Sequence, residues 1–171
     1  MSRDEPVTWD ADEAVTQLYA AHYRSLVRLA ALLLRDVGAA EEVVQDSFIS
    51  MHSAWRRLRD PERALAYLRQ TVVNRSRSAL RHRSVEVRHA PAPMPDAASA
   101  EHGAMGRLEQ QEVIRALSRL PERQREVLVL RYYSDLSEAD IAETIGISRG
   151  AVKSHAFRGM AALRTTLEQT A

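Results

Sequence analysis

The chain has 171 residues, of which 45% are hydrophobic and 27% are charged, and its net charge is +1. This composition is typical of a globular protein, and the absence of cysteine excludes disulfides and thiolate metal sites. The acidic N-terminal residues, and a longest apolar run that reaches only from residue 29 to residue 34, predict neither a signal peptide nor membrane insertion.

The first part of the chain predicts three helices behind an N-terminal tail, residues 1–11. Apolar residues recur at helical spacing over 12–35, and a break at 36–38 separates them from a second helix at 39–58. Its apolar stripe includes Phe48 and Trp55, which we expect in the core. Pro61 suits the first position of a third helix, 61–83, whose arginines are expected to point outward. Residues 12–83 therefore form the first predicted domain.

Residues 84–106 differ in composition from the segments on either side. Pro91, Pro93 and Pro95 alternate with small or polar residues, and large apolar residues are almost absent. Such a composition favours extended, poorly packed chain. We therefore predict a flexible linker between two domains.

The second predicted domain, residues 107–168, again reads as helices with short connections. Pro121 is placed to start a helix that runs to Tyr133, Ser137 to cap a short helix that ends at Gly146, and Ser148 to cap the last one. No segment alternates apolar and polar residues as a half-buried strand does. The expected fold class is therefore all-α.

Residues 136–163, LSEADIAETIGISRGAVKSHAFRGMAAL, have the layout of a helix-turn-helix. Ala142 permits close approach of the two helices, and Gly146 can adopt the positive φ of the turn. Polar and basic side chains are expected on the outer face of the second helix, where they can contact base edges and phosphates in a major groove. These candidates are Arg149, Lys153, Ser154, His155 and Arg158. An ordinary helical hairpin with a cationic surface is the alternative interpretation.

Basic residues concentrate in two segments of this nearly neutral chain. Residues 69–83 contain five arginines and no acid, and residues 147–167 contain four basic residues and no acid. The distribution indicates either two modest DNA contacts or two solvated helix faces that acids elsewhere balance.

Residues 120–163, beginning LPERQREVLVLRYY, resemble region 4 of the extracytoplasmic-function group of sigma-70 factors, although LuxR-type regulators have a related helix-turn-helix. Three further motifs resemble successive parts of sigma region 2, in the order in which that region has them. They are LYAAHYRSLVRLAALLL, AEEVVQDSFISMHSAW and AYLRQTVVNRSRSALRHR. The abundance of arginine and alanine also indicates a GC-rich, actinobacterial source.

The resemblance implies a protein that binds core RNA polymerase, at the clamp coiled coil of the largest subunit and at the flap region. It would direct transcription initiation at promoter DNA by recognising minus-10 and minus-35 elements and helping the duplex to melt. An anti-sigma factor is an expected partner. The resemblance implies that the residues docking on polymerase are Glu42, Gln45 and Asp46. The residues implied to bind minus-10 DNA are Asn74, which can read a base edge, and four arginines, Arg63, Arg75, Arg77 and Arg81. The residues implied to bind minus-35 DNA are the five candidates named above on the recognition helix.

An enzyme and a dimeric regulator are two alternative classes of function. The six histidines have no metal-ligand spacing and no glycine-rich phosphate loop is present, so we expect no enzyme, no metal and no cofactor, in a cytoplasmic protein. A dimeric LuxR-like regulator would bind a palindrome without polymerase, but it leaves the basic helix around Asn74 unexplained.

Overall fold

The computed structural model describes residues 8–86 and 104–171, and within these ranges it contains helices and no strand. The expected all-α fold is confirmed. The helices are α1 (Ala11–Leu34), α2 (Val37–Leu58), α3 (Pro61–Glu86), α4 (Ala104–Ser118), α5 (Glu122–Tyr132), α6 (Glu138–Ile145) and α7 (Arg149–Thr170). No helix among the described residues combines the length and apolar character needed to cross a membrane.

The N-terminal unit, α1 to α3, is a bundle in which each helix packs on the other two. Leu29, Met51 and Leu68 are almost completely buried at its centre. Phe48 and Trp55 are also buried, as expected from the apolar stripe of α2. The Trp55 indole nitrogen donates a hydrogen bond of 3.0 Å to the carbonyl oxygen of Trp9, which satisfies its one polar atom and ties the residues before α1 to α2.

The break between the first two helices is shorter than the sequence predicts, whereas the break between the second and third is the predicted one. Arg35 ends α1 in the left-handed region at φ 57°, and Asp36 caps α2 by accepting a 3.1 Å hydrogen bond from the Ala39 amide, so the helix already includes 37 and 38. At its other end, α3 continues to residue 86 instead of 83. Arg83 holds this end of α3 by donating to the Leu34 carbonyl oxygen at 2.8 Å and by pairing with Asp36.

The predicted linker is correspondingly shorter, because α4 begins at residue 104 and not after 106. The remainder of that prediction, residues 87–103, lies outside the described residues.

The C-terminal unit comprises α4 to α7, with α7 packed against the other three helices. The predicted caps are confirmed: Ser137 accepts from the Asp140 amide, Gly146 ends α6 at φ 70°, and Ser148 accepts from the Ala151 amide. Pro121 precedes α5 as its N-cap and is not its first residue. A proline suits this position because it lacks an amide proton that the helix would have to satisfy.

The two units lie against each other, with contacts between α3 and α6 and between α1 and both α4 and α5. The sequence predicts two domains joined by a linker and contains no local signal for this contact.

Candidate nucleic-acid interface

The recognition helix of the helix-turn-helix is α7, and its orientation is fixed by buried aliphatic residues. Ile141 and Val152 are completely buried and Ile145 is nearly so, which fills the angle between α6 and α7. The turn is closed by a 3.1 Å hydrogen bond from the Ile147 amide to the Ala142 carbonyl oxygen. This packing leaves the opposite face of α7 free of contacts with the core.

Four of the five residues expected on that face are exposed, namely Arg149, Lys153, Ser154 and Arg158. The Lys153 amino group lies 3.9 Å from a Glu138 carboxylate oxygen, and its side chain is 70% exposed. A pair this long and this exposed leaves the ammonium available to a phosphate. The stronger partner of Glu138 is Arg131, at 3.2 Å.

His155 differs from the other four because it is half-buried, and its Nδ1 atom is enclosed without a hydrogen-bond partner. His155 follows the buried Val152 by three positions, and residues three apart share a helix face. Its ring therefore lies at the edge of the core.

Phe157 is a prominent surface residue of α7 that sequence reasoning missed. Its side chain is 79% exposed, the largest value among the exposed hydrophobic residues in the described part of the chain. It follows Lys153 by four positions, so the two side chains are neighbours on one face. That spacing was the available signal. An exposed phenylalanine can contact the methyl group of thymine in a major groove.

The basic segment of α3 divides into exposed and covered residues. Asn74, Arg75, Arg81 and Arg63 are exposed. Arg75 donates a hydrogen bond of 2.8 Å to the hydroxyl of Ser50 on α2, which orients its guanidinium. Val72 and Val73 face the core together with Ser76.

The expectation that all arginines of α3 point outward is wrong. Arg77 is 15% exposed and donates two hydrogen bonds, of 3.0 and 3.1 Å, to the two carboxylate oxygens of Glu126 on α5. Arg69 is half-buried: burial lowers the pKa of its guanidinium, and the nearby Asp140 carboxylate raises it. Arg83 holds the turn between α1 and α2. Arg69, Arg77 and Arg83 are thus at least partly covered by the protein, unlike Arg75 and Arg81.

The residues expected to dock on polymerase lie on α2, with Glu42 and Gln45 exposed and Asp46 half-buried. An open groove of about 400 Å³ between α1 and α2 adjoins Gln45. Its walls include Tyr19, 41% exposed, and Ile49, 66% exposed. Ile49 follows Gln45 by four positions, so the helical period already placed it beside the docking residues, although sequence reasoning did not name it.

Among the described residues, no group of three or more potential ligands is arranged to hold a metal ion.

Comparison with known families gives two matches that correspond to the two units. Residues 18–85 match the family model described as Sigma-70 region 2, and residues 110–163 match Sigma-70, region 4. The ECF RNA polymerase sigma factor SigM of Mycobacterium tuberculosis is 34% identical over 158 residues, which cover 90% of this chain and 77% of SigM. The RNA polymerase sigma-E factor of Streptomyces avermitilis is 30% identical over 144 residues, which cover 84% of this chain and 79% of that protein.

Two solved structures also resemble this chain over most of its length. CnrH in complex with the cytosolic domain of CnrY matches with a TM-score of 0.69 and 26% identity, covering 94% of this chain and 96% of that one. RpoE of Bartonella quintana, solved with the anti-sigma factor NepR, matches with a TM-score of 0.72 and 25% identity, covering 90% and 96%.

A fold of two helical units, one of them a helix-turn-helix with an exposed cationic face, defines a DNA-binding transcription factor. The chain belongs to the extracytoplasmic-function sigma factors of the sigma-70 family, which are transcription initiation factors and not enzymes. Its relatives include actinobacterial proteins, as the composition indicated. The LuxR-like alternative is not favoured, because the N-terminal unit matches sigma region 2.

Proposed function

We propose that the two units of this sigma factor bind different partners. Residues 12–83 bind core polymerase and the minus-10 element, and residues 107–168 bind the minus-35 element. The observation that carries the proposal is that each unit has its own exposed polar and basic surface, one on α3 around Asn74 and one on α7 around Lys153.

For the minus-35 element, Arg149, Lys153 and Arg158 would hold phosphates or guanine edges while Ser154 and Phe157 contact bases. His155 would contribute through its accessible edge only, since its Nδ1 atom is enclosed. The capped N-terminus of α7 supports this orientation, because recognition helices contact bases through their first turns.

For the minus-10 element, Asn74 would read an unpaired base, and Arg63, Arg75 and Arg81 would hold the strand backbone. Arg77 would join them once it is released from Glu126. Melting needs no catalytic group, because a protein that binds the single strand better than the duplex shifts the equilibrium towards the open state.

Polymerase docking is assigned to Glu42, Gln45 and Asp46, with Tyr19 and Ile49 as an apolar border of the same surface. The clamp coiled coil is the partner that the family implies for this surface, and the flap region is the partner for the C-terminal unit. An anti-sigma factor is a further proposed partner, because RpoE was solved with one. The chain would act in the cytoplasm, where RNA polymerase works, and without enzymatic activity of its own.

Run-off transcription with core RNA polymerase free of other sigma factors tests the proposal. The wild-type chain should form a holoenzyme and start transcripts at defined sites. Lys153→Ala with Arg158→Ala, and separately Asn74→Ala, should reduce initiation at least tenfold while leaving holoenzyme formation intact.

Arg164→Ala, which removes an exposed arginine further along α7, and Gln17→Ala, which removes an exposed amide on α1, are matched controls and should initiate normally. A chain that fails to bind core polymerase, or variants that initiate like the controls, would contradict the proposal.

A further inference from the structure

A small polar pocket lies where α1, α3 and the turn between α5 and α6 meet. Its volume is about 230 Å³, which is below the roughly 300–1,000 Å³ of pockets that hold drug-sized molecules. Its lining combines three leucines with hydroxyl-bearing and basic side chains, and none of the described residues that line it is acidic. Such a size and lining suit a small polar ligand.

Arg69 lines this pocket from α3, and its hydrogen-bond donors are unused. The guanidinium is half-buried, yet among the described residues it makes no hydrogen bond and no ion pair. The Asp140 carboxylate is near enough to raise the pKa of Arg69, but it does not pair with the guanidinium. Arginine has five N–H donors, and a partly buried charge is normally paired. The donors of Arg69 are thus available to an anion.

His22 on α1 is the second basic side chain of the pocket. Its ring is half-buried and makes no hydrogen bond within the described ranges. Burial, and after it the positive charge of Arg69, lower the pKa of His22. The two side chains are therefore within electrostatic range of each other. An anion bound between them would favour the protonated form of His22, since an opposite charge stabilises it.

The turn between α5 and α6 supplies the third wall of the pocket. The Tyr133 hydroxyl donates a hydrogen bond of 3.2 Å to the carbonyl oxygen of Ser25 on α1, which fixes the turn in place. Ser134, the next residue, lines the pocket with a hydroxyl that can donate to an anion. The position of this wall is thus determined by a directional bond.

A phosphate group matches this set of donors better than a single carboxylate does. The planar fork of an arginine takes two oxygens of either group. A carboxylate has no further oxygen, whereas a phosphate has a third acceptor oxygen and carries up to two negative charges. That third oxygen can accept from His22 or from Ser134.

A small molecule fits the pocket better than a nucleic-acid strand does. Three elements bound the pocket, so a phosphate with a short attached group needs one opening, whereas a continuous strand needs two. The arginines that we assign to the minus-10 strand, among them Arg75 and Arg81, are exposed on α3 and do not line the pocket.

We propose that this pocket binds a small phosphate-bearing molecule, with Arg69 as the bidentate partner of the phosphate and His22 and Ser134 as donors to its remaining oxygens. The inference does not depend on the DNA contacts assigned above. Because residues of both units line the pocket, the ligand binds the described arrangement and raises its stability against unfolding.

Isothermal titration calorimetry of the full chain with inorganic phosphate and with pyrophosphate, at constant ionic strength, tests the site. Both probes should bind the wild-type chain saturably at one site. Acetate should bind about tenfold more weakly than phosphate, because it engages the arginine fork alone. Arg69→Gln should weaken pyrophosphate binding by about tenfold or more, and His22→Gln should weaken it by a smaller factor. Pyrophosphate should also raise the melting temperature of the wild-type chain but not that of Arg69→Gln.

Arg24→Gln is the matched control. Arg24 is an exposed arginine of α1, two residues from His22, and it does not line the pocket. Its replacement removes the same charge and should change pyrophosphate affinity by less than about twofold, since salt screens exposed charges. Should circular dichroism show that Arg69→Gln is unfolded, Arg69→Lys, which keeps the charge and loses the fork, should show the weaker binding.

The absence of saturable binding of both phosphate probes to the wild-type chain would overturn the proposal, and so would equal losses in Arg69→Gln and Arg24→Gln. Equal affinities for acetate and phosphate would exclude phosphate as the ligand class. A fluorescent single-stranded DNA of mixed sequence should bind Arg69→Gln and Arg24→Gln alike. A loss of DNA binding confined to Arg69→Gln would assign the pocket to the strand and overturn its assignment to a small molecule.

Discussion

The salt dependence of duplex binding gives a quantitative test of the α7 surface. Arg149, Lys153 and Arg158 are all exposed, and the one partner that the structure gives Lys153 lies 3.9 Å away. Each cation that neutralises a phosphate of B-DNA contributes about −0.9 to the slope of log K against log salt. Replacing the three by alanine should therefore make that slope less negative by up to about 2.7.

Fluorescence anisotropy of a labelled duplex, titrated with the full chain at several salt concentrations, measures this slope. The duplex need not contain the promoter, because phosphate contacts are independent of sequence. Arg164→Ala is the control, since it removes a positive charge from the same helix beyond the proposed contact surface. A change in slope smaller than about 1 for the triple variant, or an equal change for the control, would refute the assignment of α7.

Three further changes have outcomes that follow from the structure. Gly159→Leu should destabilise the C-terminal unit by about 1–3 kcal/mol in thermal unfolding, because even a Cβ atom there would lie 3.0 Å from Leu128; an unchanged melting temperature would contradict this packing. Gly146→Ala should cost about 1–2 kcal/mol through backbone strain at φ 70° alone, since nothing lies within 4 Å of the added atom, and chemical denaturation measures it. Glu42→Arg should weaken binding to core polymerase at least tenfold by gel filtration or interferometry, whereas Glu168→Arg at the end of α7 should not; equal affinities would remove α2 from the docking surface.

Local chemistry explains why much of the fold could be predicted from the sequence. The caps Ser137 and Ser148 and the left-handed residue Gly146 act within one turn of their own positions, so their roles are readable without the rest of the chain. The same holds for Phe48 and Trp55, whose helical spacing marks the buried face of α2.

The errors at helix ends have a different cause, because tertiary contacts decide them. The sequence predicts that α3 ends at residue 83, where the composition begins to change. Arg83 is instead bonded to the turn between α1 and α2, and the helix continues beyond that point. The partners of Arg83, Leu34 and Asp36, are almost 50 residues away in sequence. No local pattern contains that information.

The exposure of a candidate site residue could be predicted from the sequence where the helical period alone decides which face of the helix it lies on. The helical period alone places Lys153 and Arg158 on the surface of α7. The same period indicates that His155 is partly buried and that Phe157 is exposed, although the sequence analysis did not draw these two conclusions. It could not indicate that Arg77 is covered. The cover is supplied by α5, which lies beyond the predicted linker.

The contact at Arg77 also gives a physical meaning to the net charge of +1. A sigma factor needs cations at both DNA surfaces, yet a strongly basic chain would bind duplex DNA everywhere in the genome, because phosphate contacts do not depend on sequence. Acids such as Glu126 reduce that attraction most effectively when they pair with the same arginines that DNA would use. The Arg77–Glu126 pair is one example, because an acid of α5 balances a cation of α3 within the protein itself.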